Sequence, residues 1–586
     1  MLRFLGRTIL FILAATGSLV ILLLIGAFFA FGDRTPRLPE RMILALDLDR
    51  GVTEQPDPSP LALLRADPPL TMPDLLMALE RAAEDDRVTG VFATLSSGGF
   101  GLAEAQELRD AVLRFRQSGK PAVLFSESIG EFGSATVEYY LASAFSEIWL
   151  QPSGTVSTTG FLAEAPFLRG TLEKLEIRPA FSTRHEYKSA PETFTRGELS
   201  TEARENLTAL VDSLFEQTVD GIAASRDMEP QAVRALIDRS PLLAEEALQA
   251  GLVDKLGYRD QAESSMGGHV QPRIRLSRYL RALPEVDDRA GKIAVIIASG
   301  AIMPGDSDEN PLSGASNVGA NTIRNAFREA VNDSSVRAIV FRIDSPGGSY
   351  TASDAIWREV QRARELGKPV IVSMGRAAAS GGYFVAMPAD RIIAQPGTIT
   401  GSIGVFAGKM VLADFWDKIG VSWDGVARGQ NAAMWSPNRD FSPEAQQRFE
   451  TMLDAVYADF TGKAREARNL TDEQIDRAAR GRIFSGAQAL ELGLVDELGG
   501  YPAALAAARR AAGIAEDAPL GLKILPSPQD PMDLLFELIG GNGGLRILAQ
   551  DPAIAHLLAP LRPLAALLEQ GAAQPGDLRM PPMEIR

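Results

Sequence analysis

Ala247-Leu248-Gln249-Ala250-Gly251-Leu252-Val253-Asp254-Lys255-Leu256-Gly257 returns 242 residues later as Ala489-Leu490-Glu491-Leu492-Gly493-Leu494-Val495-Asp496-Glu497-Leu498-Gly499. Working outward, Gln151-Pro152 matches Gln395-Pro396 at an offset of 244, and Gly119-Lys120-Pro121 matches Gly367-Lys368-Pro369 at 248. Offsets that drift so little over about 200 residues mark a duplicated domain with a few insertions, not chance similarity. Within the repeats, apolar runs such as 337–343 and 369–373 alternate with helical patterns such as 354–366. Short apolar strands alternating with helices predict an α/β unit with a largely parallel, buried sheet.

The chain therefore divides into a tip, anchor and linker start (1–40), a first repeat (41–258), a linker (259–290), a second repeat (291–501) and a helical, apolar tail (502–586). A Pro-rich stretch, 55–73, is read as a linker. In the tail, 534–539 and 554–568 are apolar with few charges, suited to helices that pack on their own domain or line an oligomer interface.

At 586 residues the chain is long enough for about three or four domain-sized units. Apolar residues at 46% and charged residues at 23% are ordinary globular proportions. A net charge of −16 without a long basic stripe argues against nucleic acid as a partner. There is no cysteine, which removes disulfides, thiolate catalysis and Cys-ligated metal sites together. The three histidines, His185, His269 and His556, form no metal-binding pair, so neither a metal nor another cofactor is expected.

Arg3 and Arg7 precede an uncharged stretch, 8–32. Roughly 20 apolar residues cross a bilayer, whereas the core of a cleavable signal is nearer ~7–15. Gly26-Ala27-Phe28-Phe29-Ala30-Phe31 puts bulky rings where a cleavage site wants small residues, so an uncleaved, single-pass signal anchor is expected. Arg34, Arg37 and Arg41 blunt the charge asymmetry, yet the short basic tip favours a cytoplasmic N-terminus with the body in the periplasm or exterior.

Two motifs of the second repeat carry chemistry. Ile343-Asp344-Ser345-Pro346-Gly347-Gly348 ends an apolar strand before a helix, and paired glycines there uncover backbone N–H groups suited to an oxyanion hole. It lacks the Lys-Ser/Thr ending of a phosphate loop, and on residues alone such a segment is more often only a turn. Arg376-Ala377-Ala378-Ala379-Ser380-Gly381-Gly382-Tyr383 reads either as a nucleophile elbow or as an Ala/Gly-rich helix start capped by Ser380. An α/β-hydrolase order would need a histidine after the serine, and only His556, in the tail, follows it. Lysine serves in its place where burial lowers the pKa enough for the amine to accept the serine proton. Among ten lysines, Lys120 and Lys368 are a matched structural pair, and Lys255 and Lys292 flank the linker. Lys174, Lys418, Lys463 and Lys523 sit in charged, helix-like surroundings, which leaves Lys188 and Lys409.

Asp344-Ser345-Pro346-Gly347-Gly348, Ala379-Ser380-Gly381-Gly382-Tyr383, Gly401-Ser402-Ile403-Gly404-Val405 and Tyr187-Lys188-Ser189-Ala190 together resemble the motifs of the long, duplicated form of the signal peptide peptidase A (S49) family of serine peptidases. The resemblance covers about residues 1–505. It implies tandem Clp/crotonase-like β-β-α superhelical repeats behind an N-terminal transmembrane helix, in the bacterial inner membrane. It also implies assembly as a homotetramer and cleavage of hydrophobic peptides, including signal peptides left by processing. Carried over by motif, Ser380 is the nucleophile, Lys188 the general base, Ser402 the hydroxyl that orients the lysine, and Gly347, Gly348 and Gly381 the oxyanion neighbours. The repeat comparison agrees: the position 244 residues after Lys188 is Ala432, and the segment opposite Ser380, 130–135, has no Ser-Gly-Gly. Each repeat has kept one half of the pair. A crotonase-type acyl-CoA enzyme shares the double-glycine turn but rarely needs a membrane anchor, and a non-catalytic membrane scaffold would leave Ser380 inert. Thioester binding would favour the first, and absence of serine labelling the second.

Overall fold

The computed structural model describes residues 37–55, 70–267, 271–284, 291–307, 317–516, 518–527, 577–580 and 584–585. The expected membrane span, 8–32, and both apolar tail stretches, 534–539 and 554–568, lie outside them. Among the described residues no helix is long and apolar enough to cross a membrane.

The strand Lys292–Ser299 shows why this is an α/β protein. Its sequence, Lys-Ile-Ala-Val-Ile-Ile-Ala-Ser, is buried from Ile293 to Ala298. A strand's side chains alternate faces, so a run apolar at every position needs a cover on both sides. Ala294, Ile296 and Ala298 pack among the helices of their own repeat, whereas Ile293, Val295 and Ile297 join the core of the first repeat. The second sheet is thus sandwiched between its own helices and the preceding repeat.

Duplication is visible strand by strand. The first sheet runs Arg273–Arg275, Met42–Asp47, Val88–Thr94, Ala122–Ser126, Glu147–Leu150, Lys255–Leu256, all parallel. The second follows the same order, also parallel, through Gly521–Leu525, Lys292–Ser299, Val336–Ser345, Val370–Ala379, Arg391–Ala394 and Glu497–Leu498. Even an irregularity is copied: the register shifts after Met42 in one sheet and after Lys292 in the other. Tyr139 Oη donates to Leu252 O at 2.8 Å, and Tyr383 Oη to Leu494 O at 3.1 Å. Lys120 Nζ reaches the carbonyls of Ala82, Ala83 and Asp85, as Lys368 Nζ reaches those of Asp333 and Val336.

The repeats extend further than the sequence match. Residues 259–290, read as a linker, contribute the helix Arg259–Ser265, the edge strand Arg273–Arg275 and the helix Leu276–Ala282. The start of the tail does likewise with Tyr501–Ala511 and Gly521–Leu525. Edge strands this short, one of them Arg-Ile-Arg, carry little hydrophobic signal of their own. Pro73, read as the end of a linker, stands in the first turn of the helix Met72–Glu84, where a missing N–H costs nothing.

The repeats meet around a buried charge cluster. Arg342, on the face of its strand turned toward the first repeat, is 1% exposed and bonds Glu54 at 2.6 Å and Glu107 at 2.8 Å. Burial pushes the Glu107 carboxyl upward against the pull of Arg342. Arg342→Met would leave two carboxylates facing each other without a counter-charge. We expect a loss of ~3–5 kcal/mol, read as a lower urea midpoint.

Candidate active site

Ser380 sits where the strand Val370–Ala379 turns into the helix Gly381–Ala386, with φ 54° and ψ −113°. A side-chain-bearing residue with positive φ is strained, typically by about 1–3 kcal/mol, and persists only where its surroundings impose it. Here the Ser380 N–H is held by Gly401 O at 2.7 Å, while Ser380 O accepts from Phe384 N at 2.8 Å. The glycines that follow are required by close approach. A Cβ on Gly381 would lie 2.9 Å from Gly348 N, and one on Gly382 would lie 2.7 Å from Ser345 O. The small-residue turn therefore lets the double-glycine segment lie against the serine.

Lys188 arrives from the first repeat. The strand Arg178–Thr183 leaves that repeat and pairs antiparallel with Phe406–Val411 of the second, in register from Val411↔Arg178 to Phe406↔Thr183. Arg184 continues the attachment: its N–H donates to Val405 O at 2.9 Å, and its guanidinium bonds Asp454 at 2.6 Å and Glu450 at 2.9 Å. The chain then turns at His185 (φ 62°) and carries Lys188 inward.

There Lys188 Nζ lies 2.7 Å from Ser380 Oγ, 2.9 Å from Ser402 Oγ and 3.0 Å from Ser402 O. Ser380 and Ser402 are fully buried and Lys188 is 2% exposed. Ser402 reaches this place because Ile399–Gly401 pairs in parallel with Ala377–Ala379, so two adjacent strands end side by side. Lys409, the other candidate lysine, is elsewhere. Its Nζ is spent on the carbonyls of Met434, Ser436 and Arg439 and lies over the Phe441 ring. His185 is exposed and rests against Tyr457, ring centroids 4.7 Å apart. In the first repeat the matching tyrosines Tyr139 and Tyr383 put Thr136, just past the 130–135 stretch expected from the sequence, in the place of Ser380, and its hydroxyl is locked in reciprocal bonds with Gly160 O and N, both 3.0 Å. Among the described residues no group of three or more acidic or histidine side chains converges for a metal ion.

Of the three glycines expected beside the oxyanion, Gly347 donates its N–H to Ser345 Oγ at 3.1 Å, whereas Gly348 N faces Gly381 at the Ser380 turn. Just upstream, Asp344 accepts the Ala377 N–H at 2.9 Å across a register shift and so ties the glycine segment to the strand that leads to Ser380. Burial first, then Glu54 and Glu104, push its carboxyl up to about 7. Because this lies above the ordinary 3.8, the folded protein holds a proton that the unfolded chain has released. The stability this contributes is present below about pH 4 and is lost as pH rises toward 7. Asp344→Asn should flatten that part of the curve, measured as the urea midpoint from pH 4 to pH 8.

Sequence reasoning passed over Arg480-Gly481-Arg482. Arg480 O accepts the Tyr187 N–H at 3.2 Å, Arg482 covers the Tyr187 ring at 3.9 Å, and Gly481 (φ +90°) lies against the Lys188 backbone. A Cβ on Gly481 would stand 2.4 Å from Lys188 N. The only signal in the sequence is a glycine between two arginines, which is too common to single out. Gly481→Ala should displace the lysine and lower the peptidase rate about 10²-fold while leaving the fold intact by circular dichroism.

The Peptidase family S49 profile matches residues 114–271 and 362–515, one segment in each repeat. The chain belongs to that family. As an S49 member it is a serine peptidase, a hydrolase. It is 34% identical over 505 residues to Protease 4 of Salmonella typhi, covering 83% of this chain and 79% of that one. It is 31% identical over 510 residues to the chloroplastic serine protease SPPA of Arabidopsis thaliana (84% and 72%). A putative signal peptide peptidase SppA of Enterococcus faecium is 29% identical over 208 residues, 36% of this chain and 60% of that one.

Proposed function

We propose that this S49 peptidase cleaves hydrophobic peptides, cleaved signal peptides among them, with Ser380 as nucleophile and Lys188 as general base. The observation that carries the reading is the 2.7 Å contact between Lys188 Nζ and Ser380 Oγ, both buried. A neutral Lys188 amine takes the hydroxyl proton as Oγ attacks the substrate carbonyl, and Ser402 Oγ holds the amine in line. The tetrahedral oxyanion is received by backbone N–H groups of Gly348 and Gly381. The ammonium then returns its proton to the leaving amine, and water, deprotonated by the same lysine, frees the acyl group. The peptide class is supported by the printed name of the Enterococcus faecium relative. We place the enzyme, on a Clp/crotonase-like scaffold, as a homotetramer anchored in the inner membrane by residues 8–32 with its body in the periplasm. Support for the anchor is the length of that uncharged stretch.

Intact-mass analysis after treatment with a fluorophosphonate tests nucleophile and class together. One adduct per chain, mapping to Ser380 and absent from Ser380→Ala, is expected. Labelling at another serine, or none, overturns the reading.

A further inference from the structure

The first repeat keeps one part of the site whose serine and lysine partners it lacks. The offset of 248 that relates Gly119-Lys120-Pro121 to Gly367-Lys368-Pro369 also relates the helices Leu102–Gln117 and Tyr350–Glu365. The strands before those helices start in the same register, Val88 on Met42 and Val336 on Lys292. Gly99 and Phe100 therefore stand where the second repeat has Gly347 and Gly348. The matched tyrosines, Tyr139 and Tyr383, put Glu138 at the place of Gly382.

In the second repeat that place carries no side chain. In the first it carries a carboxylate that reaches into the loop, where Glu138 Oε1 accepts the Gly99 N–H at 3.0 Å. Glu138 is 8% exposed. Burial pushes its carboxyl upward, while the N–H groups of Glu138 itself, Gly99 and Phe100 pull the other way. Earlier in the loop, Asp49 accepts the N–H groups of Ser96 and Ser97 at 2.6 and 2.9 Å. Backbone N–H groups gathered on one side of a loop form a concavity for an anion, and here the chain fills it with its own carboxylates.

The same loop touches the strand that leads to Ser380. Gly99 O accepts from Arg376 at 3.3 Å. Glu104 accepts from Arg376 and from the Gly101 N–H, both at 2.7 Å. A Cβ on Gly101 would stand 2.8 Å from Arg376 Nε, so the loop backbone lies directly on the arginine. Arg376 precedes Ser380 by four residues in the strand Val370–Ala379. Gly99 thus gives its N–H to Glu138 in one repeat and its carbonyl to Arg376 in the other.

We propose that the first repeat retains an oxyanion hole as a carboxylate-binding site, that Glu138 is its built-in ligand, and that the filled site positions the Ser380 strand through Gly99 and Arg376. Glu138 is then a positioning residue, acting across the boundary between the repeats. The proposal goes beyond the peptidase reading and rests on it only for the rate that is measured.

The test compares the full chain with Glu138→Ala, Glu138→Gln, Arg376→Ala and the double alanine variant. kcat and KM on an apolar fluorogenic peptide and the melting temperature are read in acetate and in chloride of equal ionic strength. In chloride, Glu138→Ala should lose about tenfold in kcat with KM little changed. Acetate replaces the atoms removed, so it should restore most of that kcat and raise the melting temperature of Glu138→Ala but not of the unaltered chain. Glu138→Gln, which keeps one acceptor oxygen, should fall between the two. Arg376→Ala should lose as much kcat as Glu138→Ala, and the double variant no more than either, as links of one chain do. A glutamate that only stabilised the fold would lower the melting temperature without an acetate-dependent kcat. Unchanged kcat in Glu138→Ala, failure of acetate to restore it, or additive losses with Arg376→Ala overturns the proposal. If Glu138→Ala is unfolded in chloride, acetate should fold it, and failure to do so overturns the proposal as well. An unaltered chain that hydrolyses nothing and takes no fluorophosphonate at Ser380 would instead overturn the peptidase reading, and the acetate-dependent melting temperature would then decide the carboxylate site.

Discussion

Ser380→Ala is expected to abolish peptide hydrolysis, by about 10⁴-fold or more, while folding and assembly survive. The hydroxyl removed is small and already surrounded by Ala377, Ala378, Ala379, Gly381 and Gly382, so little packing is lost. The strained φ of 54° belongs to the backbone and is imposed by the Gly401 and Phe384 hydrogen bonds, which alanine keeps. What disappears is the atom that would form the acyl-enzyme, and water has no comparable route. The check is hydrolysis of an apolar fluorogenic peptide beside a thermal-unfolding curve. Activity within about tenfold of wild type would refute the assignment.

Lys188→Ala should be as inactive as Ser380→Ala, and the double variant no worse than either, because the two groups perform one step together. In the proposed dyad Lys188 is the base: its Nζ lies 2.7 Å from Ser380 Oγ, with the hydroxyl and carbonyl of Ser402 also in hydrogen-bond reach. In water a lysine holds its proton to about pH 10.4, and a protonated amine accepts nothing. Activity near neutrality therefore requires surroundings that favour the neutral amine, as burial does for any lysine. The rate should rise with pH as the amine loses its proton, and that limb should vanish in Lys188→Ala. His185→Ala should be nearly silent, since that ring is exposed and only rests at a tilt against Tyr457. Loss of activity in His185→Ala with retention in Lys188→Ala would replace the dyad by a serine–histidine mechanism.

Much of this was legible in the residues. The matched Ala-Leu-x-x-Gly-Leu-Val-Asp stretches announced duplication because a copied domain needs the same turns and the same core positions at the same spacing. The apolar runs at 337–343 and 369–373 announced buried strands because a parallel sheet covered on both faces admits no polar alternation. Ser380 and Gly348 stood out because strand-to-helix turns require small residues at fixed offsets, whereas Ser402 entered only through the family resemblance. These signals are local, and one chain carries them without knowledge of its partners in space.

Only the tertiary structure decided between Lys188 and Lys409 on physical grounds. Both are buried lysines holding backbone carbonyls, and what separates them is that one lies 2.7 Å from a serine 192 residues away. Nothing near Lys188 in sequence encodes that distance. It is set by the antiparallel register of Arg178–Thr183 on Phe406–Val411 and by Gly481 allowing the Lys188 backbone to close in. The edge strands Arg273–Arg275 and Gly521–Leu525 were invisible for a related reason, since a strand of three to five residues takes its conformation from the sheet it joins. The same holds for Asp577–Arg579, in a tail that reads as helical and apolar: its strand conformation comes from the hydrogen bonds of Gly347–Ser349. Main-chain donors and acceptors are the same at every residue, so a sequence does not record which of them will meet.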